Sequence, residues 1–371
     1  MLRCLLTGRV IAILVSIALG LSFAPRVIAA RQLTPTLLTI TGSAISGTAG
    51  VALLATLKLT LHQVRAIPVA GSTSNAAQLT EILTRETTPD AAGAFRFDNI
   101  SAQIGDVCVV TTDYEGITQG SSPIALTNGQ RTLDLPITLY AATHDASALH
   151  ILKTQQLLTF SSTKLMQVLE TVDWVNAGDR YYLSGQTTPD GTPISVSLPL
   201  PIGARGIAFN TAPITRFAIG GSINAPVIQD SKAVLPGQVQ EIIFSYQLPY
   251  YKGAPIDRDY PYATDAIQML VPGDAGIAIS APPNVPPFVV TENTNVDKQH
   301  PYTQYAINAP LKAGERFIYT LNGAPLVFNN APPKNDSTLW IAIVLALIGL
   351  SVVIGAAAFL ISRRSTVGSR Q

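Results

Sequence analysis

The histidines are the residues whose side chains could most directly hold a metal ion or move a proton. They are His62, His144, His150 and His300. A catalytic zinc site needs two histidines and a carboxylate around an open coordination position, and the sequence contains no His-x-x-Glu pair. His144 and His150 flank Asp145, but they are separated along a predicted linker and strand. We therefore predict no metal site.

The serine, glycine and carboxylate patterns do not make a catalytic motif. A serine hydrolase elbow needs Gly-x-Ser-x-Gly, and the stretch from Gly42 to Gly47 has the wrong glycine spacing. No Gly-x-x-x-x-Gly-Lys phosphate loop occurs. Asp257 and Asp259 are spaced for acid-base chemistry, but such pairs occur in the loops of many domains. We predict a protein that is not an enzyme and holds no cofactor.

Alternating oxygen side chains near residue 295 resemble part of a calcium loop. Asn293, Asn295 and Asp297 alternate there, with Glu292 adjacent. A complete calcium loop also needs a central glycine and a distal glutamate. Both are missing from this stretch, so we predict no calcium site.

Tyrosines form the most suggestive surface pattern. Tyr250, Tyr251, Tyr260 and Tyr262 bracket a polar stretch that starts at Lys252. Tyrosine combines a rigid apolar face with a hydroxyl, which suits protein interfaces and sugar stacking. Tyrosines at strand ends also commonly pack over the rim of a core. The four tyrosines are our candidate interaction surface, with packing as the alternative interpretation.

Residues 1–30 have the pattern of a secretory signal peptide. Arg3 and Arg9 precede an uncharged apolar run over residues 10–24, and Val27-Ile28-Ala29 offers small residues for cleavage. The run is shorter than the roughly 20 residues that a membrane span needs. An uncleaved N-terminal anchor is the alternative, and Pro25 and Arg26 disfavour it.

Residues 339–361 are predicted to form one transmembrane helix. They contain no charged side chain, and a helix of this length is about 35 Å long. Arg363 and Arg364 follow, so the positive-inside rule places residues 362–371 in the cytoplasm. Residues 329–338 contain two prolines and are predicted to form a stalk. We predict a cell-membrane protein with a single span and an ectodomain outside the cytoplasm.

The composition excludes some partners. The net charge is only +1, from 24 basic and 23 acidic residues, so we expect no nucleic-acid binding. Charged residues make up 13% of the chain, with 27 glycines and 26 prolines, which favours short strands and turns over helices. Cys108 is the only cysteine after the signal peptide and is predicted to pack as a small apolar residue.

Hydrophobic alternation predicts an all-β ectodomain of two β-sandwich domains, residues 31–144 and 145–328. Leucines alternate with polar residues over 57–62 and 132–139, and Pro136 indicates an edge strand. Residues 76–86 fit a helix or a strand, and their surroundings favour a strand. In the second half, apolar residues share one face of 166–174, interrupted only by Glu170.

Residues 38–140 resemble the carboxypeptidase regulatory-like domain, a transthyretin-like sandwich often grouped with carbohydrate-binding-like folds. The matching features are Ile40-Thr41-Gly42, the turn and strand over 88–100, and the segment over 109–116. The resemblance implies a sandwich fold and no carboxypeptidase chemistry. The longer assembly, with segments 198–204 and 235–250, is similar to bacterial envelope proteins of poorly defined role.

Two classes of function remain. The first is a non-catalytic, membrane-anchored binding or scaffold protein whose partner is an envelope or membrane protein. The similarity to envelope proteins suggests an accessory role in assembling an envelope or cytochrome-type membrane complex. The alternative is a carbohydrate-binding module at the cell surface, which rests on fold analogy alone.

The two apolar runs generate a prediction about topology. Protease added outside the cytoplasmic membrane should digest residues 31–338, because they lie outside, and should leave an epitope placed after Arg364 intact. Immunoblots before and after detergent lysis measure both. An ectodomain that resists protease until lysis would contradict the assignment.

Overall fold

The computed structural model describes residues 36–53, 56–68, 77–211, 213–273, 275–281, 288–293, 302–307 and 309–325. Within them the chain is nearly all β, as predicted, and its one helical element is a 3-10 turn at Ile214–Arg216. No helix in this part of the chain is long and apolar enough to cross a membrane. The predicted signal peptide, stalk, transmembrane helix and tail lie outside the described residues.

The first ten described strands are β1 Thr36–Ser46, β2 Leu59–Pro68, β3 Ala77–Thr87, β4 Ala94–Ala102, β5 Val107–Tyr114, β6 Ile117–Gly120, β7 Ile124–Ala125, β8 Thr132–Asp134, β9 Ile137–Leu139 and β10 Ala142–Thr143. One sheet has the order β4-β1-β8, and β9 also pairs with β1. The other has the order β3-β2-β5-β6, and β7 also pairs with β5. The segment that fitted both helix and strand patterns is β3, so the strand interpretation is confirmed.

Alternating side chains from both sheets fill the first core. Leu38 and Ile40 of β1 and Leu59 and Leu61 of β2 are at most 1% exposed and belong to one apolar cluster. Cys108 lies in the same cluster as a free, buried cysteine. Burial raises the pKa of its thiol to about 12, so Cys108 is a packing residue, as predicted.

Pro136 lies between two edge strands. The strands β8 and β9 both run parallel to β1, and Pro136 falls in the gap between them. Proline has no backbone N–H to donate, so it is tolerated at an edge where the ladder is interrupted. The sequence-based expectation of an edge strand is confirmed.

The remaining described strands are β11 Leu149–Ser162, β12 Leu165–Asn176, β13 Tyr181–Tyr182, β14 Val196–Pro199, β15 Arg205–Phe209, β16 Phe217–Ser222, β17 Ala225–Asp230, β18 Val239–Pro249, β19 Pro255–Tyr260, β20 Ala263–Thr264, β21 Ile267–Pro272, β22 Ile277–Ser280, β23 Val289–Asn293, β24 Tyr302–Ile307 and β25 Glu315–Gly323. A large sheet has the order β15-β18-β12-β11-β21-β24-β23, with β20 paired to β11. Two small sheets have the orders β14-β17-β16 and β19-β25-β22.

The second core lies between the large sheet and the two small sheets. Val172 and Trp174 enter it from β12, Ile228 enters from β17, and Phe317 and Leu321 enter from β25. The residues between them on β12 face the other side of the large sheet, because side chains alternate along a strand. The large sheet therefore has an inner face on this core and an outer face.

Strand β11 runs from one end of the second sandwich to the other. It has 14 residues and is therefore about 45 Å long. It begins beside the connection to the first sandwich, which we call the junction end. The opposite end, which we call the exit end, contains the last strand residue, Gly323. Gly323 is placed there because Tyr250, directly after β18, donates a hydrogen bond to its carbonyl oxygen at 2.9 Å.

Polar contacts join the two sandwiches at the junction end. The strands β10 and β13 form a short parallel pair, with Ala142 opposite Tyr181. The Thr48 hydroxyl donates to the carbonyl of Asp179 at 2.7 Å, and the Asp179 carboxylate accepts from the N–H of Ala49 at 3.0 Å. The Tyr181 hydroxyl donates to the carbonyl of Glu115.

Close packing around Gly42 generates a stability prediction. A Cβ at Gly42 would lie 2.4 Å from Cζ of Phe95 and 2.5 Å from the carbonyl oxygen of Leu135. Gly42→Ala should therefore destabilise the first sandwich by about 1–3 kcal/mol or more, the usual cost of overpacking a core. In the piece 31–331 the single thiol is Cys108, so its labelling rate in urea reports opening of this sandwich.

Gly120→Ala is the matched control. A Cβ there meets its nearest atoms at 3.4 Å, so the space needed is nearly present. Equal labelling rates for the two variants would refute the packing argument at Gly42.

Candidate functional site

The four candidate tyrosines do not share a surface. Tyr250 is 5% exposed, Tyr260 0% and Tyr262 7%, whereas Tyr251 is 68% exposed. The expected four-tyrosine interaction surface is therefore corrected to one exposed tyrosine. The alternative interpretation, packing over the rim of the core, describes the other three.

Two of the three buried tyrosines pack against an aromatic ring that sequence spacing does not reveal. The Tyr250 ring meets Phe160 edge to face at 5.3 Å. The Tyr262 ring meets Trp174 at 4.9 Å, and its hydroxyl accepts from the N–H of Ser197 at 3.3 Å. These partners lie on other strands, so the tyrosines are fixed by long-range pairing.

A charged network inside the second core is the most strongly built polar site among the described residues. Glu170 of β12 and Arg258 of β19 form an ion pair at 2.9 Å, and their side chains are 0% and 1% exposed. The Thr154 hydroxyl donates to Glu170 Oε1 at 3.0 Å. The Tyr246 hydroxyl donates to Glu170 Oε2 at 3.1 Å. The network joins the large sheet to a small sheet.

The electrostatics of this network favour fixed charges. Burial alone would lower the pKa of Arg258, but the Glu170 carboxylate beside it holds that pKa above its usual value. Burial raises the pKa of Tyr246, and the charge of Glu170 raises it further. The tyrosine therefore stays protonated as a donor. Complete burial leaves no path for a substrate, so we interpret the network as a structural tie between sheets.

The sequence showed Glu170 as an interruption in an apolar strand face, but it did not show which role Glu170 plays. Its partner Arg258 is separated from it by 88 positions. The only local signal was a charged residue at a position whose neighbours on the same face are apolar. A carboxylate in such a position requires a buried cation or donor, and that requirement could have prompted a search for its partner.

The other candidate catalytic and metal-ligating residues lie in separate contacts and do not form one site. His144 Nδ1 lies 2.8 Å from the carbonyl of Leu183, and His150 pairs with Asp265 at 2.9 Å. Asp257 and Asp259 both pair with Arg316. Within the described residues no group of three metal-ligating side chains comes together. Asn295 and Asp297 lie outside the described residues.

Several loops meet at the exit end. The hairpin 162–165 is held to the loop 250–254 by a hydrogen bond from the Tyr250 N–H to the Lys164 carbonyl at 2.8 Å. The turn 200–204 is held to the turn 222–225 by a hydrogen bond from the Gly203 N–H to the Asn224 carbonyl at 2.8 Å. The turn at Gly203 also lies against Pro249, so the two pairs are neighbours.

The exposed side chains of these loops include three large apolar residues and two lysines, together with neutral polar residues. Ile202 is 74% exposed, Ile223 92% and Tyr251 68%. Lys164 and Lys252 are exposed as well, and the four loops contain no acidic residue. We call this set the exit-end loops.

Comparisons with known proteins define no family for the chain. No family model matches it, and no curated protein matches it. The carboxypeptidase regulatory-like assignment therefore stays a prediction.

Several solved structures match the chain at low similarity. The M1 zinc metallopeptidase from Deinococcus radiodurans has 11% identity and a TM-score of 0.27, covering 47% of this chain and 42% of that chain. The major pilins SpaD and SpaA from Corynebacterium diphtheriae have 10% and 12% identity and TM-scores of 0.19 and 0.20. They cover 78% of this chain, and 88% and 84% of theirs. At these values the matches carry no inference about fold or activity.

The buried ion pair generates a stability prediction. Glu170→Leu should destabilise the second sandwich by about 3–5 kcal/mol, because Arg258 would remain as a buried charge without its partner. The double change Glu170→Leu with Arg258→Met should recover much of that loss. Urea unfolding of the piece 31–331, followed by the fluorescence of Trp174, measures both.

Arg316→Met is the matched control, because Arg316 pairs with Asp257 on the exposed side of the same strand pair. Its effect should stay within about 1 kcal/mol. If Glu170→Leu lowered the free energy of unfolding as little as this control does, the proposed role of the ion pair in joining the two sheets would be refuted.

Proposed function

We propose that this protein is a non-catalytic, membrane-anchored scaffold outside the cytoplasm, which docks a protein of the same membrane through its exit-end loops. The observation that carries the proposal is the placement of exposed apolar and basic loops at the end where the chain leaves the second sandwich. Gly323 is the last strand residue at that end. The predicted span begins at residue 339.

The short distance along the chain keeps these loops near the bilayer. Residues 324–338 could extend at most about 50 Å, and two prolines in the predicted stalk stiffen part of that length. An anchor confines the loops to a layer above the membrane, which raises their effective concentration toward membrane proteins. A modest interface is then sufficient for docking.

The chemistry of the loops favours a protein partner. Exposed isoleucines such as Ile202 and Ile223 are costly on a surface that faces only water, and a tyrosine beside them suits an interface core. The basic residues Lys164 and Lys252 would steer a partner that carries acidic groups. The partner expected here has an apolar patch with an acidic rim.

Binding without turnover is supported by the state of the candidate catalytic groups. Asp257 and Asp259 share an arginine, His150 is paired with Asp265, and Glu170 is sealed in the core. The carbohydrate alternative would need exposed aromatics in a row. Among the described residues Tyr251 is the one aromatic side chain that is largely exposed, so no observation favours that alternative.

Site-specific photo-crosslinking in cells tests the proposal. A photoreactive side chain at Ile223 should give an adduct with a membrane protein, and Ile202→Asp should abolish that adduct because a charge would enter the interface. Ile202→Asp should leave the melting transition of the ectodomain unchanged, as expected for an exposed position.

Ile104 is the matched control, because it is 47% exposed on the first sandwich. A photoreactive side chain there should give no adduct. Adducts with lipid alone at Ile223 would contradict a protein partner. Retention of the ectodomain on polysaccharide, with no adduct at Ile223, would favour the carbohydrate alternative.

A further inference from the structure

Three ionisable residues stand in one row across the outer face of the large sheet. Lys153 of β11 is opposite Asp173 of β12, and Asp173 is opposite Glu241 of β18. They face away from the second core, because Val172 and Trp174 on either side of Asp173 enter that core. The row is nonetheless sheltered, since Lys153 is 7% exposed and Asp173 5%.

The pair of Lys153 and Asp173 is close but not tightly bound. Lys153 Nζ lies 3.8 Å from Asp173 Oδ2, whereas a charge-assisted hydrogen bond is about 2.7–2.9 Å long. No hydrogen bond joins either side chain to another described residue. Two buried charges without hydrogen bonds are a costly arrangement, so the pair would gain from conversion to a neutral group.

The surroundings of the row shift the pKa of both carboxyl groups upward. Burial raises the pKa of Asp173, although Lys153 opposes this rise. Burial also raises the pKa of Glu241 to about 7, and the neighbouring Asp173 adds to that rise. At neutral pH Glu241 is therefore present both as a carboxylate and as a carboxylic acid, as a proton carrier must be.

We propose that Lys153 and Asp173 form an intramolecular isopeptide bond, with Glu241 transferring the proton. The geometric basis is the row of a buried amine, a buried carboxyl group and a second carboxyl group on three adjacent strands. The amine and the acid are held opposite each other by the β11–β12 ladder. Such preorganisation can supply an effective molarity of about 10⁵ M or more.

The reaction balances with no other reactant. Lys153 first passes one proton to the Asp173 carboxylate, and the neutral Nζ then attacks Cγ of the protonated carboxyl group while the Glu241 carboxylate takes a second proton from Nζ. Glu241 then returns the proton to the departing hydroxyl. One C–N bond forms, one C–O bond breaks, and one water molecule leaves. Nothing is oxidised or reduced, and Glu241 is regenerated.

The product would suit the site better than the reactants. An amide replaces two groups that would otherwise carry buried charges. Gln155 and Thr171, which form the adjacent row on the same face, are each 2% exposed. The Nε2 of Gln155 and the Oγ1 of Thr171 have no hydrogen-bond partner, so donors are available beside the new carbonyl.

Peptide mapping of the full chain, purified from membranes in detergent, tests the bond. Trypsin cuts after Arg131, Lys153, Lys164 and Arg180 in this region. A blocked Lys153 cannot be cut, so the digest should contain peptide 132–164 joined to peptide 165–180. Its mass should be below the sum of the two by one water molecule. Fragmentation should place the link at Lys153 and Asp173.

Two variants separate the parts of the proposal. Lys153→Arg keeps the positive charge but should lose the linked peptide completely, and its ectodomain should melt at a lower temperature than the linked protein. Glu241→Gln should restore cleavage after Lys153 while circular dichroism keeps its strand signal. Separate peptides 132–153 and 154–164 from the unchanged protein would overturn the proposal and leave an ordinary ion pair. A linked peptide that persists in Glu241→Gln would overturn the role of Glu241.

Discussion

The ion pair between Glu170 and Arg258 is the contact on which the arrangement of the second sandwich depends. It joins the large sheet to a small sheet inside a closed apolar core. A buried charge is tolerated only where its partner and hydrogen bonds are in place together. Thr154 and Tyr246 supply those bonds from the strands on either side of Glu170. The strands β11, β12, β18 and β19 must therefore all be in register, whereas aliphatic packing alone would accept several registers.

Because side chains alternate along β12, the register that the ion pair fixes also determines which residues lie on the outer face of the large sheet. Glu170 and Asp173 are three positions apart and lie on opposite faces of the large sheet. The inner carboxylate meets Arg258, and the outer carboxyl group stands beside Lys153. A slip of one residue would exchange the two faces and would leave both acidic residues without their cations. The inner face of β12 thus carries the ion pair that joins two sheets, and its outer face carries the candidate covalent bond within the large sheet.

Sequence patterning predicted the strands well because a local alternation of apolar and polar residues determines which side of a strand is buried. The strand at Ala77–Thr87, the edge position of Pro136 and the packing of Cys108 all followed from neighbours within a few residues. The candidate site could not be predicted in the same way. Tyr260 and Tyr262 were read as a loop surface, yet their packing partners lie on strands far away in the sequence. The exit-end loops come from four separate segments, so no local window contains their pattern.

The chain enters the second sandwich in one layer and leaves it in the other. The chain enters on β11, in the large sheet, and leaves on β25, in a small sheet. A membrane anchor after Gly323 would therefore be connected to the first sandwich by the chain itself and by the contacts that cross the core. Tyr319 of β25 donates a hydrogen bond to Gln156 of β11 at 3.1 Å, directly between the entering and leaving strands. Because this bond and the Glu170–Arg258 pair cross the same core, the polar groups that fix the register are also the groups that would connect the anchor to the rest of the protein.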